Sequence, residues 1–206
     1  KKGDMYPRYF NTPNQVGLSK KISSLENAEE TLVFGSGMAA ISTSLLSFLS
    51  SGDHVIFQPD LYGGTRNFAT EHLNTYGIEY SFSKSVDLKD FESQIKDNTK
   101  VIYVESPSNP LMKVVDLKGV SELAKDNNIT TMIDNTFASP VNQNPIPLGI
   151  DIVIHSATKY LGGHSDILAG SVSSSKKNME SVFSVGKSLG GNLSDYTVWL
   201  LERSLK

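Results

Sequence analysis

Five short, nearly all-apolar runs alternate with longer stretches of helical period, and this alternation narrows the architectures open to the chain. The runs are TLVF, HVIFQ, KVIYVES, TTMIDN and DIVIHS, beginning at residues 31, 54, 100, 130 and 151. Among them lie GMAAISTSLLSFLS, GGTRNFATEHLNTYG, DLKDFESQIKDN and DLKGVSELAKDNN, whose apolar residues recur at the spacing of one helix face. A strand with one wet face alternates apolar and polar residues, whereas a strand apolar at almost every position needs cover on both sides. The pattern therefore predicts an α/β fold: three layers, with a mostly parallel sheet flanked by helices. Asp87 and Asp116 are placed to cap helix N-termini, and DNN and YG to stop helices. Neither an internal repeat nor a low-complexity linker interrupts the series.

Composition then excludes several classes. At 206 residues and 38% hydrophobic, the chain can bury the core of one globular domain. A formal charge of −3 with no long block of like charge gives no attraction to a phosphate backbone, so nucleic acid is not an expected partner. The absence of cysteine removes disulfides, thiolate zinc sites and cysteine nucleophiles, and suits a reducing compartment. His54, His72, His155 and His164 lack the acidic or second-histidine spacing of a metal site, so none is expected. No run approaches the ~20 apolar residues of a membrane span. The start KKGDMYPRYF has no apolar signal segment, so a cytoplasmic location is expected, without a membrane partner. That start is polar and aromatic, and the end SDYTVWLLERSLK is amphipathic without a terminator, so the chain reads as a piece of a longer protein.

In a sheet of this kind, ligands gather where strands end and helices begin. Five such tips can be read here: 35–38, 60–64, 105–110, 134–136 and 156–159. The last holds Lys159, between the hydroxyls of Ser156 and Thr158 on one side and a Gly-Gly step on the other. A lysine amine partly screened from water at a strand end loses the hydration that favours its ammonium form, becomes nucleophilic and can condense with an aldehyde. The two hydroxyls beside it suit an anion, and pyridoxal phosphate supplies both aldehyde and phosphate. Such a ring also needs a carboxylate for its nitrogen, which Asp134 can provide, and an aromatic neighbour, which Tyr62 can provide while also handling protons. The amides of Gly37 and Met38, opening a helix, can hold the phosphate. Each residue has a plainer reading alone. Lys159 would be solvated, Asp134 a turn cap, Tyr62 packing, Met38 core and GSGMAA a tight turn.

Taken in order, YPR, SGMAAI, DLYGGT, ESPSNP, IDNTFASP and HSATKYLGGHSD resemble the pyridoxal-phosphate-dependent trans-sulfuration enzymes, the Cys/Met metabolism family, along nearly the whole chain. The resemblance implies the large domain of the aspartate-aminotransferase-like fold, at 21–206, without the C-terminal small domain. It further implies that 1–20 is the remnant of an arm reaching a neighbouring subunit. By the same resemblance Lys159 would hold the cofactor and shuttle protons, Asp134 would pair with the ring nitrogen, and Tyr62 would stack on the ring. Asn109 would lie near the phenolic oxygen, and Gly37, Met38, Ser156 and Thr158 would bind the phosphate. Tyr6 and Arg8 would complete a partner's phosphate site, implying a dimer with shared sites, within a tetramer.

The expected chemistry is γ-elimination or γ-replacement on sulfur amino acids or activated homoserine, with LYGGTRNF favouring the γ-acting members. β-Lyase and methionine γ-lyase activities are the alternatives within the family. Two departures bear on this: Thr12 precedes Pro13 where the family has an Asn-Pro-Thr order, and residue 64 is glycine where methionine γ-lyases tend to carry cysteine. Two readings from other classes remain. GSGMAA with Asp60 after the next strand also fits a dinucleotide fingerprint, but that leaves Lys159, Tyr62 and Asp134 unexplained. A non-catalytic domain using the fold as an interaction surface is the other.

Overall fold

A computed structural model describes residues 5–206. Its strands are β1 (Glu30–Phe34), β2 (His54–Phe57), β3 (Glu79–Phe82), β4 (Thr99–Glu105), β5 (Thr130–Asp134), β6 (Ile152–His155) and β7 (Gly170–Ser174). Its α-helices are α1 (Pro13–Glu26), α2 (Gly37–Phe48), α3 (Gly63–Asn67), α4 (Leu88–Glu92), α5 (Leu117–Asp126), α6 (Ser139–Asn142), α7 (Lys176–Leu189) and α8 (Asp195–Ser204). The strands form a seven-stranded sheet in the order β1-β7-β6-β5-β4-β2-β3, with helices flanking it, in agreement with the expected α/β class. The chain divides into two compact units, 48–153 and the remainder.

In unit 48–153, β2 pairs in parallel with β3 and β4, and β4 with β5. Successive residues of a strand face opposite ways, so β4 sends Ile102 and Val104 to one side and Tyr103 and Glu105 to the other. The first side packs Ile56, Ile102, Val104 and Ile133 against Phe91 of α4 and Val120 and Ala124 of α5. On the second side Tyr103 meets Phe57, which in turn meets Phe82. Burial on both faces is why these strands read as unbroken apolar runs. Asp116 caps α5 by accepting from the Gly119 amide at 3.0 Å, a bond whose loss typically costs ~1 kcal/mol. Asp87 stands at the N-cap of α4 with no side-chain cap bond; its own amide donates to Ser85 Oγ instead. The stretch expected as one helix over 63–77 changes winding, from α3 through a π turn (Phe68–His72) to a 3-10 turn (Leu73–Tyr76), and stops at Gly77. This keeps Thr65, Ala69 and Leu73, four residues apart, on one buried line.

In the other unit, β1 and β7 pair antiparallel, with Thr31 opposite Ser173. The serine-rich β7 is fully buried, and hydroxyls replace apolar contacts on one face: Ser23 Oγ donates to Thr31 Oγ1, which lies 2.8 Å from Ser173 Oγ. Leu18 and Ile22 of α1 pack with Val33, Ala157, Leu161, Leu193, Val198 and Leu201. Helix α1 therefore runs through the boundary expected at residues 20 and 21. Thr12, the departure noted in the sequence, is the N-cap of α1: it exchanges bonds with Gln15 while Pro13 takes the first helical position, where its missing N–H costs nothing. Glu26, ending α1, meets His155, ending β6, with both side chains buried.

Candidate functional site

The residues singled out in the sequence fall into two groups, one in each unit. In the unit holding both chain ends, Ser36 caps α2 by accepting from the Ala39 amide at 3.0 Å. Ahead of that amide, the N–H groups of Gly37 and Met38 have no acceptor within the helix, and the helix dipole favours an anion there. Gly37 presses on Ser156: a Cβ at residue 37 would stand 2.8 Å from the Ser156 Cβ and 3.0 Å from its Oγ. This packing brings two backbone donors and a hydroxyl together, a donor set that fits a phosphate dianion.

From Ser156 the chain enters a hydrogen-bonded turn. The Lys159 amide donates to Ser156 O at 3.0 Å, the Gly162 amide to Ala157 O at 2.8 Å and the Gly163 amide to Lys159 O at 2.7 Å. Gly163 takes φ +69°, a left-handed conformation that side chains disfavour, which accounts for a glycine after the lysine. The Lys159 backbone is thereby fixed, while the residue itself is exposed, where the sequence reading expected it partly screened. Thr158 gives its one hydroxyl hydrogen to Ala169 O at 3.1 Å and accepts from the Ala169 amide at 3.0 Å. In this arrangement it reaches an anion as a donor only by releasing Ala169.

Arg8 lies against α7, with Tyr6 beside it. Arg8 Nη1 donates to Lys187 O at 2.6 Å, and its guanidinium stacks over the rings of Tyr6 and Tyr9 at 5.3 and 5.1 Å.

In unit 48–153 the remaining residues gather at the C-terminal ends of β2, β4 and β5. Asp134 is buried, and its Oδ1 accepts from the Thr136 amide at 3.0 Å and from the Thr136 hydroxyl. The turn-cap role that Asp134 has when read alone is thus real, and it holds the carboxylate in one orientation at the strand tip. Tyr62 is 45% exposed at the start of α3, and Asn109 is half-buried in the loop after β4.

Both are tied to Glu105, to which the sequence reading assigned no role. Glu105 Oε2 accepts from the Tyr62 amide at 2.8 Å and Oε1 from the Asn109 amide at 2.6 Å. Gln58 binds the Glu105 backbone in both directions, at 2.9 Å each, and also donates to Asp60 O. Burial, with a smaller push from the Asp134 charge, raises the Glu105 pKa to about 7, against the pull of the two amides. The phenol of Tyr103, wholly buried, is held well above its usual range by burial first and then by the charges of Asp134 and Glu105. The only available sign of Glu105 was its place at a strand end in ESPSNP, and a strand-end acid reads equally well as solvated.

The unit with both chain ends thus supplies a primary amine and a phosphate cradle, and unit 48–153 a buried carboxylate and a phenol, the kinds of group that pyridoxal phosphate requires. Among the described residues no group of three or more His, Cys, Asp or Glu could hold a metal, and no helix is long and apolar enough to cross a membrane.

Comparison with known proteins points the same way. A family model described as "Cys/Met metabolism PLP-dependent enzyme" matches residues 1–206. Cystathionine beta-lyase MetC of Bacillus subtilis (strain 168) is 44% identical over 196 residues, 95% of this chain and 50% of that protein. Cystathionine gamma-lyase of the same organism is 43% identical over 205 residues, 99% of this chain and 54% of that one. The crystal structure of cystathionine gamma-lyase from Lactobacillus plantarum, complexed with L-serine, superposes with a TM-score of 0.95 at 36% identity. It covers 99% of this chain and 54% of that one. The chain spans about half the length of the curated relatives it matches.

Proposed function

This chain belongs to the Cys/Met metabolism PLP-dependent enzyme family, and on that premise we propose that the protein makes or breaks C–S bonds in sulfur amino acids or activated homoserine. The observation that carries the reading is the family match across all 206 residues, with an amine-bearing turn and a helix N-terminus pressed together in the same unit. Pyridoxal phosphate, when bound, supplies an electron sink that stabilises negative charge on substrate carbon.

In this reading the chain's own groups do the following. Lys159 Nζ holds the cofactor and carries protons at substrate carbon. Gly37, Met38 and Ser156 bind the phosphate, with Thr158 lining it. Asp134 accepts from the ring nitrogen and keeps it protonated, its orientation set by Thr136. Tyr62 covers the ring face and offers a second proton-transfer group, and Asn109 lies by the phenolic oxygen. Tyr6 and Arg8 serve a neighbouring subunit's phosphate site, in a dimer that pairs into a cytoplasmic tetramer. Residues 1–20 are then the arm and 21–206 the cofactor-binding domain.

LYGGTRNF favours action at the γ-carbon. The near-equal identity to a β-lyase and a γ-lyase keeps β-elimination as the second reading. Incubating the intact protein with cystathionine decides between them: γ-elimination releases cysteine and 2-oxobutanoate, β-elimination releases homocysteine and pyruvate. Release of no keto acid from any sulfur amino acid, with no thioether formed from activated homoserine, would overturn the proposal.

A further inference from the structure

We propose that Glu105 is a positioning residue, a single carboxylate whose two oxygens hold the two loops that present Tyr62 and Asn109. The inference rests on the cofactor reading above but adds to it a residue that does not itself touch the cofactor.

The geometry is specific. Each oxygen of Glu105 accepts one backbone N–H, at 2.8 Å from Tyr62 and 2.6 Å from Asn109. These amides belong to different loops, one after β2 and one after β4, so no local turn explains both bonds. Glu105 is 5% exposed, and Gln58, fully buried at the end of β2, brackets its backbone and anchors the 60–62 loop through Asp60 O. Lys113 ties the same two loops from outside by an ion pair with Asp60 at 2.5 Å. Both oxygens of a carboxyl group carry lone pairs, so two convergent amides can each find an acceptor on the one side chain. Glutamine presents one oxygen and one NH2, so it keeps one amide and opposes the other. Aspartate keeps the charge but is a methylene too short to span both.

A misplaced ring contact acts on the chemical step more than on substrate binding, because orientation is expressed in the transition state. The test uses the intact protein with Glu105→Gln, and Glu105→Asp as a second variant in case the first does not fold. In either, amide hydrogen exchange at Tyr62 or Asn109 is expected to quicken about tenfold while β4 and β5 stay protected. The visible circular dichroism of bound pyridoxal phosphate is expected to fall by roughly half. kcat should drop about tenfold with KM moving less than about threefold. Unchanged exchange at both amides overturns the proposal. So does a uniform rise in exchange across β2, β4 and β5 with kcat and KM shifting together, which is the mark of a purely structural carboxylate. If the unsubstituted protein shows no borohydride-reducible cofactor band, the cofactor reading itself fails; exchange at the two amides in cofactor-free protein still reads the loops separately.

Discussion

Glu105 and Asp134 occupy partnered positions on the parallel strands β4 and β5, so two buried carboxylates project side by side from one face of the sheet. Burial disfavours the ionised form of Glu105, and the neighbouring Asp134 charge adds a smaller push in the same direction. The pKa of Glu105 is raised from 4.5 to about 7. A raised acid pKa means that the folded state binds this proton more tightly than the unfolded chain. The stability it confers is therefore complete below about pH 4.5 and is lost as pH rises through about 7. The loss amounts to roughly 3 kcal/mol. Denaturant unfolding from pH 5 to 8 should show this slope in the unsubstituted protein and a flatter one in Glu105→Gln.

Asp134→Asn isolates the charge from the geometry. Asparagine keeps an oxygen for the Thr136 amide, so the turn and the fold should persist, with a stability change within about 1 kcal/mol. With the neighbouring anion gone, the Glu105 pKa should fall, seen by carboxyl carbon NMR titration. Cofactor affinity and exchange of the substrate α-proton should fall together, by about tenfold or more.

Gly37→Ala tests the phosphate cradle. Its new methyl would stand 2.8 Å from the Ser156 Cβ, closer than two carbons can pack, so helix α2 or the turn at Ser156 must shift. Titration with pyridoxal phosphate should show affinity lowered about tenfold, equivalent to ~1.4 kcal/mol. Inorganic phosphate should compete less well by a similar factor.

Lys159→Ala removes an exposed side chain, so thermal stability of the cofactor-free protein should move by no more than about 0.5 kcal/mol. In the intact protein the visible band that borohydride abolishes should be absent, and a peptide map should carry no reduced adduct at residue 159.

How much of this could be read from sequence depended on what each element buries. The strands with apolar residues on both faces announced themselves, and so did α5, whose cap and stop lie where Asp116 and Asn127 suggested. Strand β7 did not: GSVSS carries its burial in hydroxyls paired with Thr31, and no hydropathy pattern records that. Strand β3, half-buried at the sheet edge with sequence EYSF, was missed because polar residues are tolerated there. Lys159, Asp134 and Tyr62 can be proposed from sequence because each combines a telling side chain with a strand end. Glu105 and Gln58 cannot, because their work is to hold backbone amides and carbonyls, and nothing in a residue's identity reveals which main-chain atoms will face it.

The turn around Lys159 separates root from tip. Main-chain bonds to Ser156 and from Gly163 fasten its α-carbon, while the side chain of four methylenes is exposed. A reagent mounted this way swings on a short arc about a stationary pivot, and can reach more than one atom of a bound molecule without any movement of the scaffold beneath it.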